Sequence, residues 1–243
     1  MRQSDKKAKR PRKWRPFYNF LHDFVKITGG PLTWLWLRPK IYRPYGTRTP
    51  KGAVLISANH RSFIDPLTVL VSFPFRRLHC LVTKDLYAKG PMGAFLERVH
   101  CIKVDKDNFT VSAFHDVVGR LQNGHAVVIF PEGEVNQTRK GEILAFKSGA
   151  VLMAHKAGAP ILPVYIADHY KWYQRQRVVI GEPIDLTETL GKMPSMAALT
   201  AASDDLRARE LALKDYFESL PIYKRLIRSK KQSAKLQGET QDE

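Results

Sequence analysis

Two short stretches hold the side chains whose types and spacing could do chemistry. In the first, Asn59-His60-Arg61-Ser62-Phe63-Ile64-Asp65-Pro66, an imidazole is followed five positions later by a carboxylate. On one continuous helix at 3.6 residues per turn, two such side chains would point in different directions. A turn running into a helix at Asp65 instead lets the chain fold back and bring the carboxylate onto the ring. The carboxylate would fix the tautomer and stabilise the protonated form, leaving the other ring nitrogen as a general base. Asp65 before Pro66 also reads as a helix N-cap with proline at the first helical position, a role that needs no catalysis. The second stretch, Phe130-Pro131-Glu132-Gly133, offers a carboxylate for substrate hydroxyls and a glycine that admits a close backbone approach. Taken alone it reads equally as a polar turn.

Cations stand near both. Lys106 follows the run Ile102-Lys103-Val104-Asp105, and Arg139, Lys140 and Lys147 follow the glutamate. Lys147 precedes Ser148-Gly149 at an expected helix start, where backbone N–H groups and the helix dipole favour an anion. Lys106, Arg139 and Lys147 together could hold a phosphate; singly, each is an ordinary surface cation.

Elements that position these groups follow from the apolar pattern. Strands are expected at 54–58, 79–83, 101–104, 126–130, 161–166 and 177–180. Helices are expected near 66–73, 92–98, 110–122, 146–157 and 198–220, with Asn123-Gly124 and Pro221 as stop signals. Short apolar runs alternating with helices predict an α/β fold, a mostly parallel central sheet flanked by helices. In such sheets, sites form beyond the carboxyl ends of strands, and His60 and Glu132 both follow strands directly.

With 243 residues and 44% hydrophobic composition, the chain can bury a core as one α/β domain over 46–223, with appendages at 1–45 and 224–243. The formal charge of +17 calls for a polyanionic partner: nucleic acid, an anionic membrane surface or a phosphorylated substrate. Residues 1–16 hold eight Lys or Arg against one Asp, a tail expected to stay unstructured until it meets negative charge. Beyond it, aromatic and leucine side chains beside basic clusters suit a lipid headgroup region. Residues 1–45 are therefore expected to form an amphipathic helical membrane-surface element, against the plainer reading of a helix packed on the core. The run 27–37 is too short for a spanning helix, which needs about 20 apolar residues, and no signal peptide is evident.

Other chemistries find no support. The eight histidines make no His-Glu-x-x-His pattern, so no metal site is expected, and no glycine-rich phosphate loop ends in Lys-Ser or Lys-Thr. Ser62 lacks a glycine-flanked nucleophile elbow. Cys80 and Cys101 have neither zinc-site nor redox spacing and read as buried, reduced thiols.

In this order, the stretches resemble the glycerolipid acyltransferase family, most closely its bacterial 1-acylglycerol-3-phosphate acyltransferases. The first motif matches Asn59, His60 and Asp65, and the third matches Phe130 to Gly133 in full. Val104-Asp105-Lys106 matches the second loosely, with lysine for arginine, and Leu162-Pro163-Val164 matches the fourth. The downstream Phe-Lys-x-Gly matches Phe146, Lys147 and Gly149. Glu134 stands where Thr or Ser is common, and the following basic residue is delayed to Arg139.

The resemblance implies transfer of a fatty acyl group from acyl-CoA or acyl carrier protein, as co-substrate and without a bound cofactor. The acceptor would be the sn-2 hydroxyl of lysophosphatidic acid, and the product phosphatidic acid. It makes His60 the base and Asp65 its catalytic partner, and it places Asn59, Lys106, Glu132, Gly133, Arg139 and Lys147 on the substrate side. It further implies an anionic phospholipid surface as partner and a peripheral place on the cytoplasmic face of the cell membrane. The alternatives are the same chemistry on glycerol 3-phosphate or another lysolipid, and, from a different class, a basic nucleic-acid-binding module.

Overall fold

A computed structural model of the chain describes residues 16–88, 90–105, 111–136, 142–167, 175–187 and 189–224. Its strands are β1 (Lys40–Tyr42), β2 (Val54–Ala58), β3 (Leu78–Thr83), β4 (Ile102–Val104), β5 (Ala126–Ile129), β6 (Ile161–Ile166) and β7 (Arg177–Ile180). The helices are α1 (Pro16–Leu37), α2 (Asp65–Ser72), α3 (Lys84–Tyr87), α4 (Pro91–Arg98), α5 (Val111–Gln122), α6 (Gly149–Ala157) and α7 (Met196–Ser219). They flank one seven-stranded sheet ordered β1-β7-β6-β2-β5-β3-β4. The five strands from β6 to β4 run parallel, while β7 is antiparallel to β6 and β1 parallel to β7. The expected α/β class and mostly parallel sheet are what the chain adopts.

The central strand shows why its apolar run does not alternate. Val54, Ile56 and Ala58 face one layer with Val69 and Phe73 around α2, whereas Leu55 faces the other with Val117, Leu121 and Val151 of α5 and α6. A strand covered on both sides must be apolar at consecutive positions. The chain leaves β2 toward β3 on one side and β5 toward β6 on the other. The carboxyl ends of the adjacent strands β2 and β5 thus form a topological switch point, where a crevice opens.

Several boundaries depart from expectation for local reasons. Strand β5 stops at Ile129 because Phe130 turns onto His60, and α6 starts only at Gly149 because the Lys147 N–H bonds the Pro131 carbonyl at 2.9 Å. Both β1 and α3 were absent from the sequence reading; each is four residues or fewer. Helix α1 is one helix of 22 residues with Pro31 inside. Pro31 has no N–H for the Ile27 carbonyl. Beside it, the Thr33 hydroxyl donates to the Gly29 carbonyl at 2.8 Å.

Helix α1 packs against α2 and α4, and Arg77 makes a two-pronged ion pair with Asp23, at 3.0 and 2.6 Å. Its last turn reaches the carboxyl end of the parallel strands. The Leu37 carbonyl accepts from the Gln176 N–H at 3.0 Å, next to Arg177, whose carbonyl accepts from Ala167 just past β6. No helix among the described residues is long and apolar enough to cross a membrane. Cys80 and Cys101 are unpaired, and burial pushes both thiols up, Cys101 to about 11.

Candidate active site at the carboxyl end of β2 and β5

His60 leaves β2 at the crevice and is held from four directions. Its Nδ1 lies 3.1 Å from Asp65 Oδ2, and its ring stacks on Phe130 with centroids 4.1 Å apart and planes 23° from parallel. Its backbone N–H donates to Glu132 Oε1 at 2.8 Å, and its carbonyl accepts from the Asn136 N–H at 2.7 Å. The side chain remains 16% exposed. With Nδ1–H directed at the carboxylate, Nε2 carries the lone pair, and no partner holds it among the described residues.

Asp65 reaches the ring by a route slightly different from the expected cap. Ile64 is the N-cap, and Asp65 is the first helical residue with Pro66 behind it. Its carboxylate turns back over the preceding loop, where Oδ2 also accepts from the Arg61 and Ser62 N–H groups, both at 2.6 Å. The same oxygen thus folds the loop and orients the imidazole, which is how residues five apart come to meet.

Glu132 is buried, and its carboxylate bridges loops. Oε1 takes the His60 N–H, while Oε2 takes the Leu144 N–H at 3.0 Å and faces Asn136 Nδ2 at 3.5 Å. Asn136 Nδ2 also donates to the Glu142 carbonyl at 2.6 Å. Asn59 is equally committed to backbone: its Nδ2 donates to the Ile166 carbonyl at 3.0 Å, and its Oδ1 accepts the Ile166 N–H at 2.7 Å. That pair extends the β2–β6 ladder by one side chain beyond Ala58. Both residues sit at the site, and the bonds they make are those of positioning groups rather than of groups waiting for a ligand.

Gly133 adopts φ +77°, the left-handed region where a side chain is strained. A Cβ there would stand 2.7 Å from Lys147 Nζ, so the lysine is laid across the glycine. The Lys147 ammonium is exposed and has no carboxylate partner among the described residues. It stands just before the amino end of α6, where the dipole adds to its positive potential. Lys106 and Arg139, the other cations expected to hold a phosphate, lie outside the described residues; Asp105, next to Lys106, pairs with Lys84 at 2.6 Å.

Beneath β2, Ser57 Oγ donates to Glu210 Oε1 of α7 at 2.6 Å. Burial lifts the Glu210 carboxyl well above its usual range, the Ser57 bond opposes this, and the charge of Glu132 adds to it. As contributors to the site, Phe130, Asn136, Ser57, Glu210 and Arg207, whose guanidinium donates to the Ile143 and Leu144 carbonyls, were not expected from sequence. Phe130 had a signal, as it opens the Phe-Pro-Glu-Gly stretch. The others had none, being polar residues in loops, in a strand and in a charged helix. The described residues include no group of three or more His, Cys, Asp or Glu that could hold a metal.

The site sets an imidazole oriented by a carboxylate beside the loop that carries Lys147. The Acyltransferase family model matches residues 41–167, more than half of the chain. A 1-acyl-sn-glycerol-3-phosphate acyltransferase of Bacillus subtilis is 27% identical over 186 residues, covering 74% of this chain and 90% of that protein. The human 1-acyl-sn-glycerol-3-phosphate acyltransferase beta is 27% identical over 68% of this chain, which spans only 59% of the human protein. Among solved structures, the 1-acyl-sn-glycerophosphate acyltransferase PlsC of Thermotoga maritima superposes with a TM-score of 0.61 over 84% of this chain and 82% of that one. At 20% identity that likeness speaks for the fold. The chain belongs to the acyltransferase family.

Proposed function

We propose that the protein transfers a fatty acyl group from the thioester of acyl-CoA or acyl carrier protein to the sn-2 hydroxyl of 1-acylglycerol 3-phosphate. The observation that carries this is His60, whose Nδ1 is tied to Asp65 while Nε2 stays without a protein partner among the described residues. His60 Nε2 takes the hydroxyl proton as the oxygen attacks the thioester carbonyl. The new C–O bond forms, the C–S bond breaks, and the proton passes to the departing thiolate. Products are phosphatidic acid and the free carrier thiol, with no acyl-enzyme and no bound cofactor. A positioned base of this kind contributes about 10²–10⁴-fold. Lys147, with Lys106 and Arg139, supplies the charge for the acceptor's phosphate. Asp65, Asn59, Glu132 and Gly133 build the loop that presents the base and the lysine. Relatives named for this reaction and the oriented base favour it over a nucleic-acid-binding module.

A water-insoluble acceptor calls for an active edge that faces a membrane. Helix α1 exposes Ile27, Leu32, Trp34, Leu35 and Trp36, and its last turn lies at the carboxyl end of β6. Phe63, 85% exposed, sits in the His60–Asp65 loop itself. These side chains would settle among headgroups while the net charge of +17 draws the face to anionic lipid at the cytoplasmic side.

The deciding experiment measures thiol release from an acyl thioester with lysophosphatidic acid, glycerol 3-phosphate and other lysolipids, for wild type and His60→Ala. Preference for lysophosphatidic acid, lost in the variant, is expected. A glycerol 3-phosphate preference reassigns the acceptor, and equal rates for the two proteins overturn the role of His60.

A further inference from the structure

The base is held by residues far beyond its own loop. Asn136 N–H and Glu132 pin the backbone of His60, and they in turn grip residues 142–144: Asn136 the Glu142 carbonyl, Glu132 the Leu144 N–H. This second segment is irregular and has no strand or helix of its own to fix it. What fixes it is α7. Arg207 Nη2 donates to the Ile143 carbonyl at 2.6 Å, and its Nε reaches the Ile143 and Leu144 carbonyls at 3.1 and 2.9 Å. Ile143 itself is buried against Leu213 and Phe217 of the same helix. One turn along from Arg207, Glu210 holds Ser57, two residues before Asn59. Helix α7 therefore touches both the carboxyl end of β2 at Ser57 and the segment at Ile143 and Leu144, and it lies wholly outside the segment 41–167 that the family model matches.

We propose that Arg207 is a positioning residue for acyl transfer: its guanidinium sets the Leu144 peptide so that its N–H meets Glu132, and Glu132 thereby holds the His60 backbone. A planar fork is needed because one group must serve two successive carbonyls; an ammonium acts as a point charge and cannot span them in a fixed geometry. Removing the fork lets the Leu144 peptide rotate, frees one oxygen of Glu132 and loosens the base. Neither substrate needs to lose a contact. The signature is a fall in kcat at nearly constant KM, because misplacing a reacting group by about 1 Å can cost about 10²-fold without weakening binding.

This rests on His60 being the base, and the test separates the two readings. Arg207→Lys, Arg207→Ala and Arg209→Gln are compared with wild type in kcat, both KM values, thermal midpoint and the His60 ring signals in NMR of histidine-labelled protein. The His60 signals are assigned with His60→Gln. Arg209, paired with Asp205 on the outer face of α7, serves as control. We expect kcat to fall about tenfold in Arg207→Lys and about 10²-fold in Arg207→Ala, each KM to stay within about twofold, and the His60 ring signals to shift and broaden. Arg209→Gln should match wild type, and methylguanidine should restore part of the Arg207→Ala rate. Unchanged kcat in a folded Arg207→Lys overturns the proposal. So does a rate loss that only tracks unfolding, with unaltered His60 signals in the folded fraction. If wild type transfers no acyl group at all, the function reading fails, and an undisturbed His60 ring in Arg207→Lys then refutes the positioning role by itself.

Discussion

Two histidines at opposite ends of the sheet show how the same side chain can be held open at a crevice or closed into a core. His60, beyond the carboxyl end of β2, meets a carboxylate on one nitrogen and leaves the other free of protein partners among the described residues, with its side chain 16% exposed. His79, near the amino end of β3, is 2% exposed, and its Nδ1 lies 3.0 Å from Arg120 Nη1 and 3.1 Å from the His100 carbonyl oxygen. Burial, then the charge of Arg120, push it down to about 3, against the nearby His100 carbonyl that pulls it up; His125 and His100 add to the fall. The difference is one of partner sign and solvent: a carboxylate and an opening to solvent surround one ring, whereas burial beside a cation disfavours the charged form of the other.

The comparison breaks most directly at His60. Replacing it with alanine should lower kcat/KM by about 10⁴-fold with little change in the thermal midpoint, whereas Asp65→Asn, which keeps the shape and loses the charge, should cost about 10²-fold. Comparable activity in either folded variant would make the His60 geometry incidental.

The opposite end should respond through stability rather than rate. His79 has a folded value near 3 and an ordinary value of 6.5, so the unfolded chain takes the proton first. Its contribution is intact above pH 6.5 and is lost as pH falls from there toward 3, by up to about 1.36 kcal/mol per pH unit. Urea midpoints measured from pH 7 to pH 5 should fall less steeply in His79→Phe than in wild type. Parallel slopes would mean that His79 reaches water in the folded state.

Smaller effects sharpen what holds the base. In Glu132→Gln, one face of the amide must set donors against the His60 or Leu144 N–H, which should cost about 1–3 kcal/mol in urea unfolding and lower kcat more than it raises KM. Gly133→Ala forces a side chain to φ +77° at about 1–2 kcal/mol and displaces Lys147. A KM for the acceptor raised a few-fold, with the thioester KM unchanged, is expected. A change confined to the thioester would move Lys147 to the donor's phosphates.

Much of the frame was legible because each signal was local. The apolar runs of β2, β5 and β6 read as buried strands, and Asn123-Gly124 stops α5 with Gly124 at φ +79°. The short β1 escaped notice because its three residues gain their place only by pairing with β7. At the site, His60, Asp65, Glu132 and Lys147 could be picked out by type and by following strands. Their roles could not, since Glu132 and Asn59 look like ligand groups until their backbone partners, 12 and 107 residues away, are in view.

What the sequence by itself determined is the set of parts: a two-sided parallel sheet, a histidine and a glutamate each delivered past a strand end, and an excess of cations. These follow from periodicity and spacing within a few residues of one another. Only the tertiary structure decided which groups stay open at the crevice and which hold the others still. Phe130 against His60, Arg207 beneath Leu144 and Glu210 beneath Ser57 join positions 63 to 153 residues apart, or close over a crossover between strands. Hydrogen bonds and ring stacking act over about 3–4 Å whatever the distance along the chain, so the roles of these residues exist only once the sheet has brought them together.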